Sequence, residues 1–195
     1  MKGKILYKIL IPLDKLFMSF YRPKYIGLEN IPKDESCVLA GNHTAKLDPL
    51  LLMSCTNRCI RYLAKIELCK GIKKHFFNAV GIIPVDRSKS NPEVIEIGVK
   101  YLKEGQIIGV FPEGTINKTK DIIMPFKYGA VKMAKSSDAY LVPFSITGKY
   151  KLFKKSITIT FDKPYKVKGE IEEENKKLEN KVINLLKEKK WRKNM

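Results

Sequence analysis

The stretch Cys37-Val38-Leu39-Ala40-Gly41-Asn42-His43-Thr44-Ala45-Lys46-Leu47-Asp48-Pro49 decides the fold of this chain. Its apolar beginning predicts a buried strand at Val38–Ala40. Polar residues then predict a loop, and a helix is expected from Pro49 to Ser54, because proline is favoured in a first helical turn and Asp48 is a suitable N-cap. A buried strand that leads through a loop into a helix is the repeating unit of an α/β fold.

The same alternation continues along the rest of the chain. Short apolar runs predict strands, and segments with apolar residues at helical spacing predict helices. This order predicts a single α/β domain, with a mostly parallel sheet flanked by helices. The predicted strands are Val38–Ala40, Ile60–Ala64, Gly81–Val85, Ile107–Phe111, Tyr140–Ile146 and Ile157–Phe161, and the predicted helices are Pro49–Ser54, Leu68–Ala79, Asn91–Lys103, Lys127–Lys135 and Ile171–Trp191.

The composition indicates a globular protein with an anionic partner. Its 195 residues fit one domain, and its formal net charge of +18 favours nucleic acid, an anionic bilayer surface or an acidic carrier as that partner. The four cysteines form no C-x-x-C pair and have no histidine at metal-ligand spacing. We therefore expect a reduced, intracellular protein without a metal site.

The first residues predict an amphipathic helix. Lys4, Lys8 and Lys15 fall close together at helical spacing, while apolar side chains cover much of the remaining surface and Pro12 would kink or split the helix. The segment is too short and too charged to span a bilayer. It also does not match a signal peptide, because Lys8, Asp14 and Lys15 interrupt its apolar stretch and no small-residue cleavage site follows. Two interpretations remain open, a helix in the membrane interface or a helix packed on the domain core.

Polar segments follow three of the predicted strands. Asn42–Asp48 follows the first, Asp86-Arg87 follows another, and Phe111–Thr115 follows a third. Each segment alone is compatible with a cap, a surface ion pair or a turn. Because ligands of open α/β sheets bind outside the carboxyl ends of the strands, the three segments together predict one site.

The residues of these segments predict chemistry on a phosphate-bearing alcohol. His43 is a candidate general base, and Asp48 is the group that would orient it. Arg87 offers planar donors for a phosphate, and Gly114 allows backbone N–H groups to approach an anion. The chain lacks a G-x-S-x-G nucleophile elbow. The expected nucleophile is therefore the substrate's own hydroxyl.

At this point the chain resembles the glycerolipid acyltransferase family with the His-x4-Asp motif. The resemblance covers roughly residues 25–161, and the matching segments occur in the family's order and spacing. These segments are Asn42-His43 with Asp48-Pro49, Gly81-Ile82-Ile83-Pro84-Val85-Asp86-Arg87, Phe111-Pro112-Glu113-Gly114-Thr115, Pro125-Phe126-Lys127-Tyr128-Gly129-Ala130 and Leu141-Val142-Pro143-Phe144.

The resemblance implies transfer of a fatty acyl group from a thioester donor, acyl-CoA or acyl carrier protein. The implied acceptor is the free hydroxyl of 1-acylglycerol 3-phosphate (lysophosphatidate), which gives phosphatidate in phospholipid biosynthesis. By the family pattern His43 is the base and Asp48 its partner. Arg87 and the turn Glu113-Gly114-Thr115 would bind the acceptor's phosphoglycerol part. The resemblance implies no metal and no tightly bound cofactor.

The chain departs from the family pattern at two positions. Ile116 stands where the family usually has an arginine, so Lys118, Lys120 or Lys127 is expected to supply the missing charge. Ala45 stands where many members have serine.

The expected organisation is a membrane-associating segment at residues 1–24 and an acyltransferase domain at residues 25–195. We expect a peripheral protein on the cytoplasmic face of the cell membrane. The alternatives are an acyltransferase for glycerol 3-phosphate or another lysophospholipid, a catalytically silent module that binds anionic lipids, and a nonspecific nucleic-acid binder. His75 matches no motif and is expected to lie on a basic helix face.

Overall fold

A computed structural model of the chain describes residues 2–65, 81–85 and 92–191. The described strands form one sheet in the order β1-β7-β6-β2-β5-β3-β4, and β8 also pairs with β6. The strands are β1 (Lys24–Ile26), β2 (Cys37–Gly41), β3 (Ile60–Lys65), β4 (Ile82–Val85), β5 (Ile107–Val110), β6 (Tyr140–Gly148), β7 (Ile157–Phe161) and β8 (Tyr165–Lys166).

The centre of the sheet is parallel, as the sequence predicts. Strand β2 is buried along its whole length and pairs in parallel with β5 on one side and β6 on the other. Strands β3 and β4 extend the parallel part beyond β5. Strand β7 runs antiparallel to β6. The predicted α/β fold is confirmed, and the sequence analysis missed β1 and β8, which are only three and two residues long.

Helices cover both faces of the sheet. On one face Leu39 of β2 packs with Leu51 and Leu52, and on the other Val38 packs with Val131 and Leu178. The predicted helix Leu68–Ala79 lies outside the described residues. The described α-helices are α1 (Lys2–Ser19), α2 (Asp48–Met53), α3 (Pro92–Lys103), α4 (Gly129–Ser137) and α5 (Ile171–Trp191).

Helix α1 has one face on the domain and one face in solvent. It is continuous through Pro12. Met18 is fully buried in the main core, and Tyr7 and Ile11 pack with Met53. The opposite face exposes large apolar side chains, namely Ile9, Leu13, Leu16 and Phe17. The two interpretations of this segment are therefore not exclusive, since the helix packs on the core and still presents an apolar surface. Among the described residues, no helix is long and apolar enough to cross a membrane.

Asp14 of α1 is a buried carboxylate whose two oxygens accept no hydrogen bond from the described residues. Burial raises its pKa from the usual 3.8 to about 7. The unfolded chain therefore releases this proton at lower pH than the folded protein does. Ionisation of the unfolded chain lowers the stability of the folded protein between about pH 4 and pH 7, and the loss persists above pH 7.

We expect Asp14→Asn to remove this pH dependence. At pH 8 the variant should be more stable than the parent by about 3–4 kcal/mol, whereas at pH 4 the two should differ little. Urea denaturation at several pH values measures the difference, and Asp34→Asn, at an exposed carboxylate, is the control. Parallel stability curves for Asp14→Asn and the parent between pH 4 and pH 8 would contradict this expectation.

Candidate active site

His43, in the loop after β2, forms a hydrogen-bonded pair with Asp48, the first residue of α2. His43 Nδ1 lies 2.9 Å from Asp48 Oδ2, and the Asp48 side chain is fully buried while that of His43 is 17% exposed. A carboxylate only accepts hydrogen bonds, so Nδ1 carries the proton and donates it. This tautomer leaves a lone pair on Nε2, which is the arrangement of a general base.

The Asp48 carboxylate is held by donors on several sides. Its Oδ2 accepts hydrogen bonds from the backbone N–H groups of Thr44, at 2.5 Å, and Ala45, at 2.8 Å. The Thr44 hydroxyl donates to Oδ1 at 3.1 Å. The carboxylate therefore binds the loop that precedes it and makes no capping hydrogen bond with α2, so the predicted N-cap role of Asp48 is wrong.

Tyr150, which the sequence analysis did not single out, completes the Asp48 site. Its hydroxyl donates to Asp48 Oδ1 at 2.7 Å, although the two residues are 102 positions apart in the sequence. Burial and the neighbouring Asp48 carboxylate raise the pKa of Tyr150 far above its usual value, so the hydroxyl stays protonated and donates. The tyrosine lies in the β6–β7 loop, and no local pattern marks it as a partner of Asp48.

Asn42 and Phe111 fix the position of the histidine. The buried Asn42 side chain donates to Ile146 O at 2.9 Å and accepts from Ile146 N–H at 2.7 Å, which ties the end of β2 to β6. The ring of Phe111 stacks on that of His43, with centroids 4.3 Å apart. The imidazole is therefore oriented by the Phe111 ring stacked on one of its faces and by the hydrogen bond of Nδ1 to Asp48.

Glu113, predicted to contact substrate, lies beside His43 but binds the protein backbone. It is buried, and its oxygens accept hydrogen bonds from His43 N–H at 2.7 Å and Met124 N–H at 2.8 Å. Both oxygens are thus engaged in holding the loop after β5 against the loop after β2. A contact between Glu113 and substrate stays a prediction.

Three predicted substrate-binding residues lie together after β5. Gly114 has a φ of 74°, and a Cβ built on it would lie 3.0 Å from Lys127 Nζ, so the lysine head lies over the glycine. Thr115 is exposed on the same turn. This turn is close to the histidine because Asn117 N–H donates to His43 O at 2.9 Å. Arg87 lies outside the described residues, and β4 ends two residues before it, at Val85.

A large basic cleft opens on the β6 side of the pair. Its volume is about 1240 Å³, and its lining includes Asn42 and Thr44, the two neighbours of His43. None of the cationic side chains that line it forms an ion pair with a described carboxylate. These side chains are Arg22, Lys24, Lys120, Lys155 and Lys187.

The sequence of this chain is similar to those of known proteins. Residues 22–147 match the family model described as Acyltransferase. The 1-acyl-sn-glycerol-3-phosphate acyltransferase of Bacillus subtilis is 38% identical over 128 residues, which cover 64% of this chain and 62% of that protein. The protein of the same name from Borreliella burgdorferi is 35% identical over 137 residues, covering 67% of this chain and 53% of that protein.

The fold matches that of a solved structure. The crystal structure of the 1-acyl-sn-glycerophosphate (LPA) acyltransferase PlsC from Thermotoga maritima aligns with a TM-score of 0.78 at 23% sequence identity. The alignment covers 96% of this chain and 81% of that one. By contrast, the alignments with the two bacterial relatives extend over only 62% and 53% of the lengths of those proteins.

Proposed function

We propose, from the premise that this chain belongs to the acyltransferase family, that it transfers a fatty acyl group from a thioester to the free hydroxyl of 1-acylglycerol 3-phosphate. The observation that carries the proposal is the His43–Asp48 pair, with Nδ1 bonded to the carboxylate and Nε2 left as a base. The named acceptor rests on the relatives, which carry the name 1-acyl-sn-glycerol-3-phosphate acyltransferase.

The proposed reaction uses His43 first as a base and then as an acid. Nε2 takes the proton of the acceptor hydroxyl while the hydroxyl oxygen attacks the thioester carbonyl carbon. The resulting tetrahedral intermediate collapses, the carbon–sulfur bond breaks, and the imidazolium returns its proton to the leaving thiolate. The products are an ester and a free thiol. Asp48 holds the tautomer and stabilises the imidazolium during the step.

We place the acceptor's phosphate at the turn after β5, where Gly114, Thr115 and Lys127 lie together. Lys127 supplies a positive charge near Ile116, the position at which the family usually has arginine. An ammonium group binds phosphate as a point charge, without the bidentate geometry of a guanidinium group. Arg87 is the second proposed phosphate contact.

The proposed location is the cytoplasmic face of the membrane, with the protein bound peripherally. The exposed apolar side chains of α1, including Leu13 and Phe17, support this attachment. A helix that packs one face on its domain and exposes an apolar face suits the bilayer interface, where a lipid acceptor resides.

We place the thioester donor in the basic cleft beside Thr44. A volume of about 1240 Å³ exceeds the roughly 300–1,000 Å³ of ordinary small-molecule pockets, so the cleft suits an extended ligand. Its cations, which pair with no carboxylate among the described residues, suit the phosphates of coenzyme A or of the phosphopantetheine arm of a carrier protein. No metal or tightly bound cofactor takes part in the proposed reaction.

A donor-by-acceptor assay with purified protein tests both substrates. Acyl-CoA and acyl carrier protein are each combined with lysophosphatidate, glycerol 3-phosphate and another lysophospholipid, and the lipid products are identified by mass. We expect phosphatidate from lysophosphatidate and little product from the other acceptors. Preferred acylation of another acceptor would replace the proposed acceptor. Vesicle binding without transfer from either donor would favour a silent lipid-binding module.

The cleft is tested in the same assay by Lys24→Gln with Lys187→Gln, at two lysines that line it. Because exposed charge pairs contribute about 0.2–1 kcal/mol each, the double variant should raise the donor KM about 3–10-fold and leave the acceptor KM unchanged. The control is Lys33→Gln with Lys103→Gln. It removes the same amount of charge at the opposite ends of the strands, just before β2 and β5 begin. Equal donor KM values for the two double variants would contradict the placement of the donor.

A further inference from the structure

The β6–β7 loop, residues 149–156, exposes two large apolar side chains. Leu152 is 56% exposed and Phe153 is 66% exposed, the highest value among the large apolar residues that the structure describes. Such side chains at a loop tip are not needed to form a turn, since small and polar residues form turns more readily.

The backbone at Phe153 is in an unfavourable conformation. Its φ is 60°, in the left-handed region where glycine and asparagine are common and bulky residues are rare. An aromatic residue therefore occupies a position where glycine or asparagine would fit the backbone conformation better. Strain of this kind points to a function of the side chain.

The loop tip is continuous with the exposed face of α1. Phe153 N–H donates to Phe20 O at 2.6 Å, and the two rings meet edge to face with centroids 6.0 Å apart. We call the combined area the apolar docking surface. It consists of Ile9, Leu13, Leu16, Phe17, Phe20, Leu152 and Phe153, all of them exposed.

The charges around the apolar docking surface are positive. The loop sequence Lys149-Tyr150-Lys151-Leu152-Phe153-Lys154-Lys155-Ser156 has four lysines and no acidic residue. Asp14, the single acidic residue among the first 24, is buried on the opposite face of α1. Apolar tips surrounded by lysines match a bilayer with anionic headgroups, because the tips insert while the ammonium groups stay at the headgroups.

We propose that Leu152 and Phe153 form a second membrane-insertion element, which binds an anionic bilayer together with α1. Two inserted elements fix the orientation of the protein on the membrane, whereas a single inserted helix lets the protein rotate about the helix axis. The same loop carries Tyr150, which donates to Asp48. Insertion of the loop therefore holds the catalytic pair near the interface. The inference rests on the proposed membrane attachment and is independent of the proposed acyl transfer.

Phe153→Asn tests the inference, because asparagine tolerates the observed backbone while losing the apolar ring. We expect binding to sedimenting vesicles of phosphatidylglycerol and phosphatidylcholine to weaken about tenfold. The melting temperature should stay the same or rise. Leu28→Asn, at an exposed apolar residue of the short 3₁₀ helix before β2, is the matched control and should bind like the parent.

The double variant Leu13→Gln with Phe17→Gln, on the exposed face of α1, distinguishes the contribution of the helix to membrane binding from that of the loop. If this α1 variant loses vesicle binding while Phe153→Asn binds like the parent, membrane attachment stands and the second element is refuted. Weaker binding of Phe153→Asn together with a marked fall in melting temperature would also refute it, since the ring would then serve the fold. Neither measurement involves turnover, so both outcomes are separate from a failure of the proposed reaction.

Discussion

Replacement of His43 by alanine is expected to lower kcat by about 10²–10⁴-fold, because the variant has no base to deprotonate the acceptor hydroxyl. The fold should survive. The backbone N–H and C=O groups of His43, which bond Glu113 and Asn117, are unchanged by the substitution. The Asp48 carboxylate also keeps its hydrogen bonds from Thr44, Ala45 and Tyr150. Steady-state turnover and a melting curve measure the two effects.

Phe111→Leu is the control for this substitution. It removes the ring that stacks on His43 and leaves the base and its bond to Asp48 in place. We expect a much smaller loss of turnover from this variant. If His43→Ala retains more than a tenth of the parental kcat in a purified assay, the assignment of His43 as the base is wrong.

Replacement of Asp48 by alanine is expected to lower both turnover and stability. The fully buried carboxylate accepts hydrogen bonds from His43, Thr44, Ala45 and Tyr150, and their donors would be left without a partner. Unsatisfied buried donors cost about 1–3 kcal/mol each, and we expect the free energy of unfolding to fall by about 3–5 kcal/mol. Urea denaturation measures this loss.

Turnover of folded Asp48→Ala should fall nearly as far as that of His43→Ala, because the imidazole loses its tautomer and its orientation. Tyr150→Phe provides the comparison, since it removes one donor and should cost only about 1 kcal/mol. An Asp48→Ala variant as stable as the parent would show that water replaces the carboxylate, and that Asp48 does not organise the loop.

Much of the fold could be predicted because the sequence patterns of its central strands are local. Strands β2 and β5 are continuous apolar runs, and their neighbour β6 contains the apolar run Leu141–Phe144. Such runs are typical of buried parallel strands. The edge strands β1 and β8 could not be predicted, since pairing with β7 and β6 creates them and no periodicity marks two or three residues.

The residues of the candidate site also fall into those that a local sequence signal predicts and those whose contacts depend on the tertiary structure. His43 and Asp48 could be predicted as a pair because they lie only five positions apart in the sequence, which limits the distance between them in space. Glu113 was predicted to bind substrate, but its hydrogen bonds to backbone N–H groups could not be predicted from the sequence. A sequence pattern does not distinguish a carboxylate that faces a ligand from one that faces the protein.

The sequence by itself determined the α/β architecture, the proximity of His43 to Asp48 and a helix at the start of the chain. Only the tertiary structure decided that Tyr150 donates to Asp48 and that Phe153 extends the exposed face of α1 at Phe20. The reason is physical. Periodicity within one segment sets its own structure, whereas contacts between distant segments depend on strand order. Here that order pairs β6 with β2, and the loop that follows β6 carries Tyr150 to Asp48.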